Sequence, residues 1–445
     1  MNIADIKNIL VVGLGYVGLV TSLCLVSKGY TVIGIDKLSN IIDKVNQGNI
    51  PFYEPKLNDL LKEALETNRF TATQDYVEAI KKSNLIFISV GTPSDAQGAI
   101  DLTQIQETAQ IIGKHLDDKY RIIIIKSTVV PGTTDSLVLP ILERESKLKA
   151  GINFGLCMNP EFLKEGNAVN DFLQPDRTII GCYRSSSYDI LEQFYKPFGG
   201  LILKTNLRTA EMIKYANNAF LATKISFINE IANICRLIGG VDVKDVAEGI
   251  GYDYRINPKF LRAGCGFGGS CFPKDLKGLI SFAKEFQYSP ILLEATLKSN
   301  ESQAQIMIDM AISVVGTLNH KKIAILGLAF KPNTSDIREA SSVRIINRLL
   351  DNKTTRIFVY DPIFKEKPKI FLDSNIKICL SLEECLEDAD VCLVVTEWDE
   401  FKALSPSFFK NLMKTPIIID GRKIYNFKTF SKDTTLLQIG YKPSD

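Results

Sequence analysis

The chain is expected to fold as an α/β protein of two units, each built on a mostly parallel sheet, joined by a long central helix and a helical middle domain. Three observations predict this. The first third alternates short apolar runs with helical stretches, the order that buries a parallel sheet between helices. Residues 207–237 carry apolar residues at helical spacing with no proline or glycine. Near residue 320, the order of strand, glycine turn and strand ending in Asp begins again.

The first strand is read at 9–13, and the motif Gly13-Leu14-Gly15-Tyr16-Val17-Gly18 follows it. A second strand, 31–36, ends at Asp36. Glycines at this spacing between a strand and a helix, with an acidic residue about twenty positions on, form a dinucleotide-binding fingerprint and a Rossmann-like unit. Gly13 permits the tight turn, Gly15 lets a pyrophosphate approach the backbone, and Gly18 lets the helix pack close to the strand. Amides at the helix start, where Tyr16 and Val17 stand, would hold the phosphates. Asp36 would accept hydrogen bonds from the ribose hydroxyls, which favours NAD over NADP. Two other readings of 8–27 stay open, because the stretch is uncharged: a membrane span or a signal sequence.

Further strands are expected at 85–90, 122–127 and 154–159. The loops after two of them read Val90-Gly91-Thr92-Pro93 and Lys126-Ser127-Thr128-Val129-Val130-Pro131-Gly132. Ligands bind at the carboxyl ends of strands in open α/β sheets, so these loops should line the nicotinamide side of a cleft. In the long helix, Lys214 and Asn218 are i and i+4 and share a face. Such a helix serves as an interdomain strut or dimer interface, and the polar pair could equally be solvated.

Residues 264–275 read Gly-Cys-Gly-Phe-Gly-Gly-Ser-Cys-Phe-Pro-Lys-Asp. Gly266, Gly268 and Gly269 allow main-chain amides to approach a ligand closely. If a helix opens at Phe272, Cys271 lies at its N-terminus and Asp275 one turn on. A helix start and a nearby lysine both favour the thiolate. The competing reading is a glycine turn with a buried, inert cysteine.

The second copy has strands at 321–326, 356–360 and 390–396, with Gly327-Leu328-Ala329-Phe330-Lys331-Pro332 after the first and Asp361 after the second. It lacks the three-glycine spacing and should not hold a pyrophosphate in the same way. The expected division is 1–203, an NAD-binding domain; 204–305, a helical domain with the cysteine loop; and 306–445, a second Rossmann-like domain.

Composition narrows the classes. Lys+Arg number 53 against Asp+Glu 51, so no charge surplus points to nucleic acid. Nine cysteines, none in Cys-x-x-Cys, argue against a disulfide framework or a zinc site and for a reducing cytoplasm. His115 and His320 are the only histidines, so histidine-centred acid–base chemistry is poorly supplied.

Taken together, the chain resembles the UDP-glucose/GDP-mannose dehydrogenase family along nearly its whole length. The carriers are 13–18, Pro51-Phe52-Tyr53-Glu54-Pro55, 90–93, Ser127-Thr128-Val129, Asn159-Pro160-Glu161-Phe162-Leu163-Lys164-Glu165-Gly166, Lys214-Tyr215-Ala216-Asn217-Asn218-Ala219-Phe220, 266–275, 327–331 and Asp420-Gly421-Arg422. The resemblance implies oxidation of a sugar C6 alcohol to a carboxylate with two NAD, through an aldehyde and a cysteine thioester. It implies that Lys214, Asn218 and Asp275 hold the C6 oxygen, that Cys271 is the nucleophile, and that Glu161, with Thr128 nearby, activates water. It assigns Thr92, Thr128, Glu165, Lys274 and Arg338 to the cofactor. Phe162, Leu163, Phe260, Leu261, Gly268, Phe330, Lys331 and Arg422 join Glu161, Lys214 and Asn218 at the nucleotide sugar. Arg255 is similar to a residue that reaches a neighbouring subunit, which implies at least a homodimer.

Relatives that act on UDP-N-acetylated sugars place a histidine before the cysteine; here Ser270 stands there, which favours UDP-glucose. The alternatives are GDP-mannose or another nucleotide sugar, and a non-enzymatic NAD-binding sensor or scaffold. No membrane partner and no metal is expected.

Overall fold

The computed structural model describes residues 6–95, 97–371 and 373–444. They divide into two compact units, Met1–Asn217 and Asn218–Asp445. The helix Leu207–Ile238 is continuous through that boundary.

Among the described residues the first unit holds eight strands: β1 (Asn8–Val12), β2 (Thr31–Ile35), β3 (Phe70–Thr73), β4 (Leu85–Ile88), β5 (Arg121–Ile125), β6 (Phe154–Met158), β7 (Arg177–Cys182) and β8 (Leu201–Thr205). Their order is β3-β2-β1-β4-β5-β6-β7-β8. Every pairing is parallel except β6 with β7. β5 is buried along its whole length because both faces of the sheet are covered. Val11, Phe87 and Ile124 pack into one core, and Leu10, Ile86, Ile123 and Ile125 into the other. Each such side chain, fully buried, contributes about 1.5–3 kcal/mol.

The 8–27 segment is β1, a glycine turn and the helix Tyr16–Ser27. No helix among the described residues is long and apolar enough to cross a membrane.

The second unit holds β9 (Lys322–Leu326), β10 (Arg356–Tyr360), β11 (Ile376–Ile378), β12 (Val391–Val394), β13 (Ile417–Asp420) and β14 (Thr435–Gln438), in the order β11-β10-β9-β12-β13-β14. This repeats the order of the first six strands, and all its pairings are parallel. The repeat extends to hydrogen bonds. Gly13 N donates to Ile35 O at 2.7 Å, and Gly327 N to Tyr360 O at 2.8 Å. Asp36 and Asp361 each accept the next amide, from Leu14 at 2.9 Å and Leu328 at 2.8 Å.

The copies diverge directly afterwards. In the first, the helix starts at Tyr16; in the second, it starts only at Ser341. The Ala329 amide also donates to Asp361, and that of Phe330 to Asp336 O. Amides already satisfied within the protein are not available to a phosphate.

The sheets end slightly earlier than the sequence suggests. Gly13, Asp36, Val90, Ser127 and Asn159 all lie just beyond their strands, in the loops. Backbone bonds to the neighbouring strand continue there, from Gly13 N to Ile35 O at 2.7 Å and from Asn159 N to Ile125 O at 2.9 Å, although the strand conformation has ended. The sequence reading does not include the short strands β3, β8, β11, β13 and β14, nor β7, whose antiparallel pairing with β6 reverses the local direction.

Candidate active site

In the first unit the glycine turn is shaped by close approach. Gly13 has φ +91, and a Cβ there would lie 2.7 Å from Ser89 O; a Cβ on Gly18 would lie 1.7 Å from Gly13 O. At Gly15, the residue capping the helix start, a Cβ would meet nothing within 4 Å. The turn is therefore closed on its protein side and open at the helix start, which fits a bound pyrophosphate. Asp36 also makes backbone contacts that the sequence does not reveal. Its carboxylate accepts the Leu14 amide and, at 2.9 Å, the Leu38 amide, and so ties the end of β2 to the turn.

Tyr16 donates its hydroxyl to Glu54, and burial together with that carboxylate pushes the hydroxyl pKa up. Glu54 also accepts the amides of Gly166 at 2.6 Å and Ala168 at 2.8 Å. The Pro51–Pro55 motif and the Asn159–Gly166 motif are joined here by one buried carboxylate. The Thr92 hydroxyl donates to Thr128 O at 2.8 Å, which brings the two predicted cleft loops together.

Glu161 lies at the end of β6. Its Oε1 receives the Lys214 ammonium at 2.8 Å and its Oε2 the Leu163 amide at 2.5 Å. Both charged side chains are nearly fully buried. Burial pushes the Glu161 carboxyl up, but Lys214, the Leu163 amide and Lys126 together hold it below its ordinary value. Lys126, also buried, donates to Asn159 Oδ1 at 2.9 Å, and burial pushes its pKa down to about 8. The Phe162 ring lies beneath Lys214 at 5.3 Å and Arg177 at 4.2 Å.

In the second unit, the helix Phe272–Glu285 begins where the sequence predicts, with Cys271 as its N-cap. Cys271 O accepts the Asp275 amide at 2.8 Å. Of the nine cysteines, eight are buried and Cys271 alone is half-buried. The Asp275 side chain is buried and accepts Asn218 Nδ2 at 2.6 Å and Lys274 Nζ at 2.7 Å. Lys214 and Asn218 are therefore not a solvated pair: each is buried against a carboxylate.

The glycine loop before Cys271 docks on the carboxyl end of the second sheet. The Cys265 amide donates to Gly421 O at 3.0 Å, and Arg422 donates to Val395 O at 2.6 Å. The ring of Phe330 lies over Gly269, whose added Cβ would fall 2.9 Å from it. Lys331 Nζ stands 5.1 Å from the same ring. Phe260 holds the left-handed conformation at φ 65, unusual for an aromatic residue, and Leu261 beside it is buried. A Cβ on Gly268 would lie 2.4 Å from Glu339 O. Arg255 and Arg338 are exposed and pair with Asp253 and Asp336 respectively.

Of the loop amides expected to face a ligand, that of Phe267 donates to Asn300 Oδ1 at 2.7 Å and that of Gly269 to Arg338 O at 2.9 Å. Asn300 also donates to Phe267 O at 3.0 Å, while Asn229 accepts the Gly264 amide at 2.7 Å. Both asparagines are fully buried. Sequence reasoning missed them because an asparagine inside a helical run carries no local mark of its partner. Glu165 is half-buried in the first unit, in the loop after β6.

Comparison with known proteins assigns these parts. Residues 7–199 match the NAD binding domain of the UDP-glucose/GDP-mannose dehydrogenase family, 208–302 its central domain, and 324–427 its UDP binding domain. The chain is 43% identical over 422 residues to the UDP-glucose 6-dehydrogenase TuaD of Bacillus subtilis, covering 95% of this chain and 90% of that one. It is 42% identical over 429 residues to a UDP-glucose 6-dehydrogenase of Rickettsia bellii, covering 94% and 95%. The structure of a UDP-glucose dehydrogenase from the archaeon Pyrobaculum islandicum superposes with a TM-score of 0.91 at 32% identity, covering 98% of both chains. The chain belongs to the UDP-glucose/GDP-mannose dehydrogenase family and carries its NAD binding domain.

Proposed function

We propose that this member of the UDP-glucose/GDP-mannose dehydrogenase family oxidises C6 of UDP-glucose twice, through a thiohemiacetal and a thioester on Cys271, and releases UDP-glucuronate. The observation that carries the reading is the setting of Cys271. It is the one cysteine of nine not buried, and it caps a helix whose first turn holds the buried Asp275. A helix N-terminus favours the thiolate, the competent nucleophile.

NAD, when bound, accepts a hydride in each oxidation. Lys214, Asn218 and Asp275 hold the C6 oxygen and manage its proton. Cys271 Sγ then bonds to the aldehyde carbon, and Lys214 and Asn218 stabilise the negative charge on the former C6 oxygen. Retention on Cys271 explains four-electron oxidation without release of the aldehyde. Glu161 accepts a proton from the water that cleaves the thioester, with Thr128 nearby. The Lys214 and Leu163 contacts that keep Glu161 ionised support that role.

Binding follows from the same motifs. Gly13, Gly15, Tyr16, Val17, Gly18, Asp36, Thr92, Thr128, Glu165, Lys274 and Arg338 serve the cofactor. Phe162, Leu163, Phe260, Leu261, Gly268, Phe330, Lys331 and Arg422 serve the nucleotide sugar. The reading includes a cytoplasmic location and a homodimer or higher oligomer, with Arg255 reaching a neighbouring copy. The long helix exposes Phe220, Phe227 and Ile234 at seven-residue spacing, an apolar stripe of the kind that marks an interface.

A panel of UDP- and GDP-sugars with NAD tests the reading. UDP-glucose should give two NADH per acid formed, and GDP-mannose little. A preference for GDP-mannose would overturn the substrate; one NADH per product would overturn the thioester.

A further inference from the structure

We propose that Glu211, a buried carboxylate absent from the mechanism above, is a positioning residue that fixes the Thr128 loop against the helix carrying Lys214. The inference deepens the proposed function and rests on it for the role of that loop.

Glu211 lies on Leu207–Ile238, one turn before Lys214, and is fully buried. Its Oε2 accepts the Gly132 amide at 2.6 Å. Its Oε1 accepts the Thr134 amide at 2.8 Å and the Thr134 hydroxyl at 2.6 Å. These donors stand at the start of the π turn Thr134–Val138, directly after the loop 127–132. One carboxylate thus gathers three donors from the end of that loop and fixes them to the Lys214 helix. The loop's other end is held by Ser127, whose hydroxyl donates to Val90 O at 2.7 Å, and by the Thr92 hydroxyl on Thr128 O. Thr128 therefore sits between two anchors, and only the Glu211 anchor can be released by a proton.

An isolated structural carboxylate at a surface would do none of this. Protonation turns a charged acceptor into a neutral one that holds the Gly132 and Thr134 amides more weakly, while the proton itself is met by the Thr134 hydroxyl, which can turn and accept. The charged groups facing Glu211 are Asp135, from the π turn, and Arg208, from its own helix; they pair with each other at 2.7 Å. Burial, with Asp135 adding to it, raises the Glu211 pKa to about 7 against the lowering effect of its three donors. The anchor should therefore loosen as pH falls through about 7.

The test uses the full chain and Glu211→Gln, whose amide must set an N–H against one of the same donors. Hydrogen exchange of the Gly132 and Thr134 amides, corrected for intrinsic rates, is followed from pH 6 to 8.5 alongside kcat and KM. In the unsubstituted protein, protection should fall as pH drops through about 7; in Glu211→Gln it should be low throughout at the one of the two amides that faces the Gln N–H. The kcat should drop about ten- to a hundredfold, the scale of a small misplacement, with KM for UDP-glucose within about threefold. Thr134→Val, which removes one donor, should lower kcat about threefold, because two contacts remain. Unchanged protection in Glu211→Gln overturns the proposal. So does loss of NADH binding by that variant, which would make Glu211 a support of the fold alone. If no nucleotide sugar reduces NAD, the proposed function fails, and the amide protection still decides the anchor.

Discussion

The Lys214 ammonium lies 2.8 Å from the Glu161 carboxylate, and both side chains are almost wholly withdrawn from water. Removing Lys214 leaves the buried Glu161 carboxylate with only the Leu163 amide and Lys126 to offset its charge. Lys214→Met should therefore cost about 3–5 kcal/mol of stability, read from denaturant unfolding. A variant as stable as the parent would show that the charge is compensated elsewhere.

The same pair gives a pH dependence. Glu161 has its folded pKa depressed, so its contribution is fully present above the ordinary carboxylate value. It is lost as pH falls through the depressed value, where the folded carboxyl takes up its proton. The difference in melting temperature between the protein and Glu161→Gln should shrink on acidification below about pH 4.5, the unfolded value. Glu161→Gln should also slow overall turnover about a hundredfold or more, with acyl-enzyme visible by intact mass, because the general base is gone. Normal turnover would remove Glu161 from thioester hydrolysis.

Cys271→Ser should abolish acid formation, since a hydroxyl is far weaker than a thiolate near neutral pH. In the native protein, iodoacetamide should add a single label, at Cys271, because the other eight cysteines are buried. Bound UDP-glucose should slow that labelling. Rapid native labelling at a second cysteine would contradict the burial pattern.

Asp36→Ala should narrow the preference for NAD over NADP, and it should also lower stability. The buried Leu14 amide loses its acceptor, which costs about 1–3 kcal/mol, while the exposed Leu38 amide turns to water. A change in cofactor preference with unchanged stability would mean that water replaces the carboxylate at both amides.

Gly269→Ala places a Cβ at φ +85 and 2.9 Å from the Phe330 ring. The substitution should raise KM for the nucleotide sugar well above any change in KM for NAD. Equal changes in both constants would dissociate Phe330 from the sugar side.

Much of this protein was legible in the chain itself. Both Rossmann-like units, the long helix and the helix opening at Phe272 follow from local patterns: apolar runs of strand length, glycine spacing and helical periodicity. Those signals depend on neighbours along the chain, so one sequence suffices to read them. The helix-capping place of Cys271 and the shared face of Lys214 and Asn218 follow from the same local patterns, whereas the parts given to Lys214 and Glu161 rest on the family resemblance.

What only the tertiary structure decided is which buried polar groups satisfy one another. Glu54 joins two motifs far apart in sequence, Asn300 holds the Phe267 backbone on both sides, and Glu211 anchors a loop from another element. A buried donor or acceptor must find a partner, but nothing local says where that partner is. The exposure that separates Cys271 from eight similar thiols is likewise a property of packing, because it depends on what covers each side chain rather than on the residue itself.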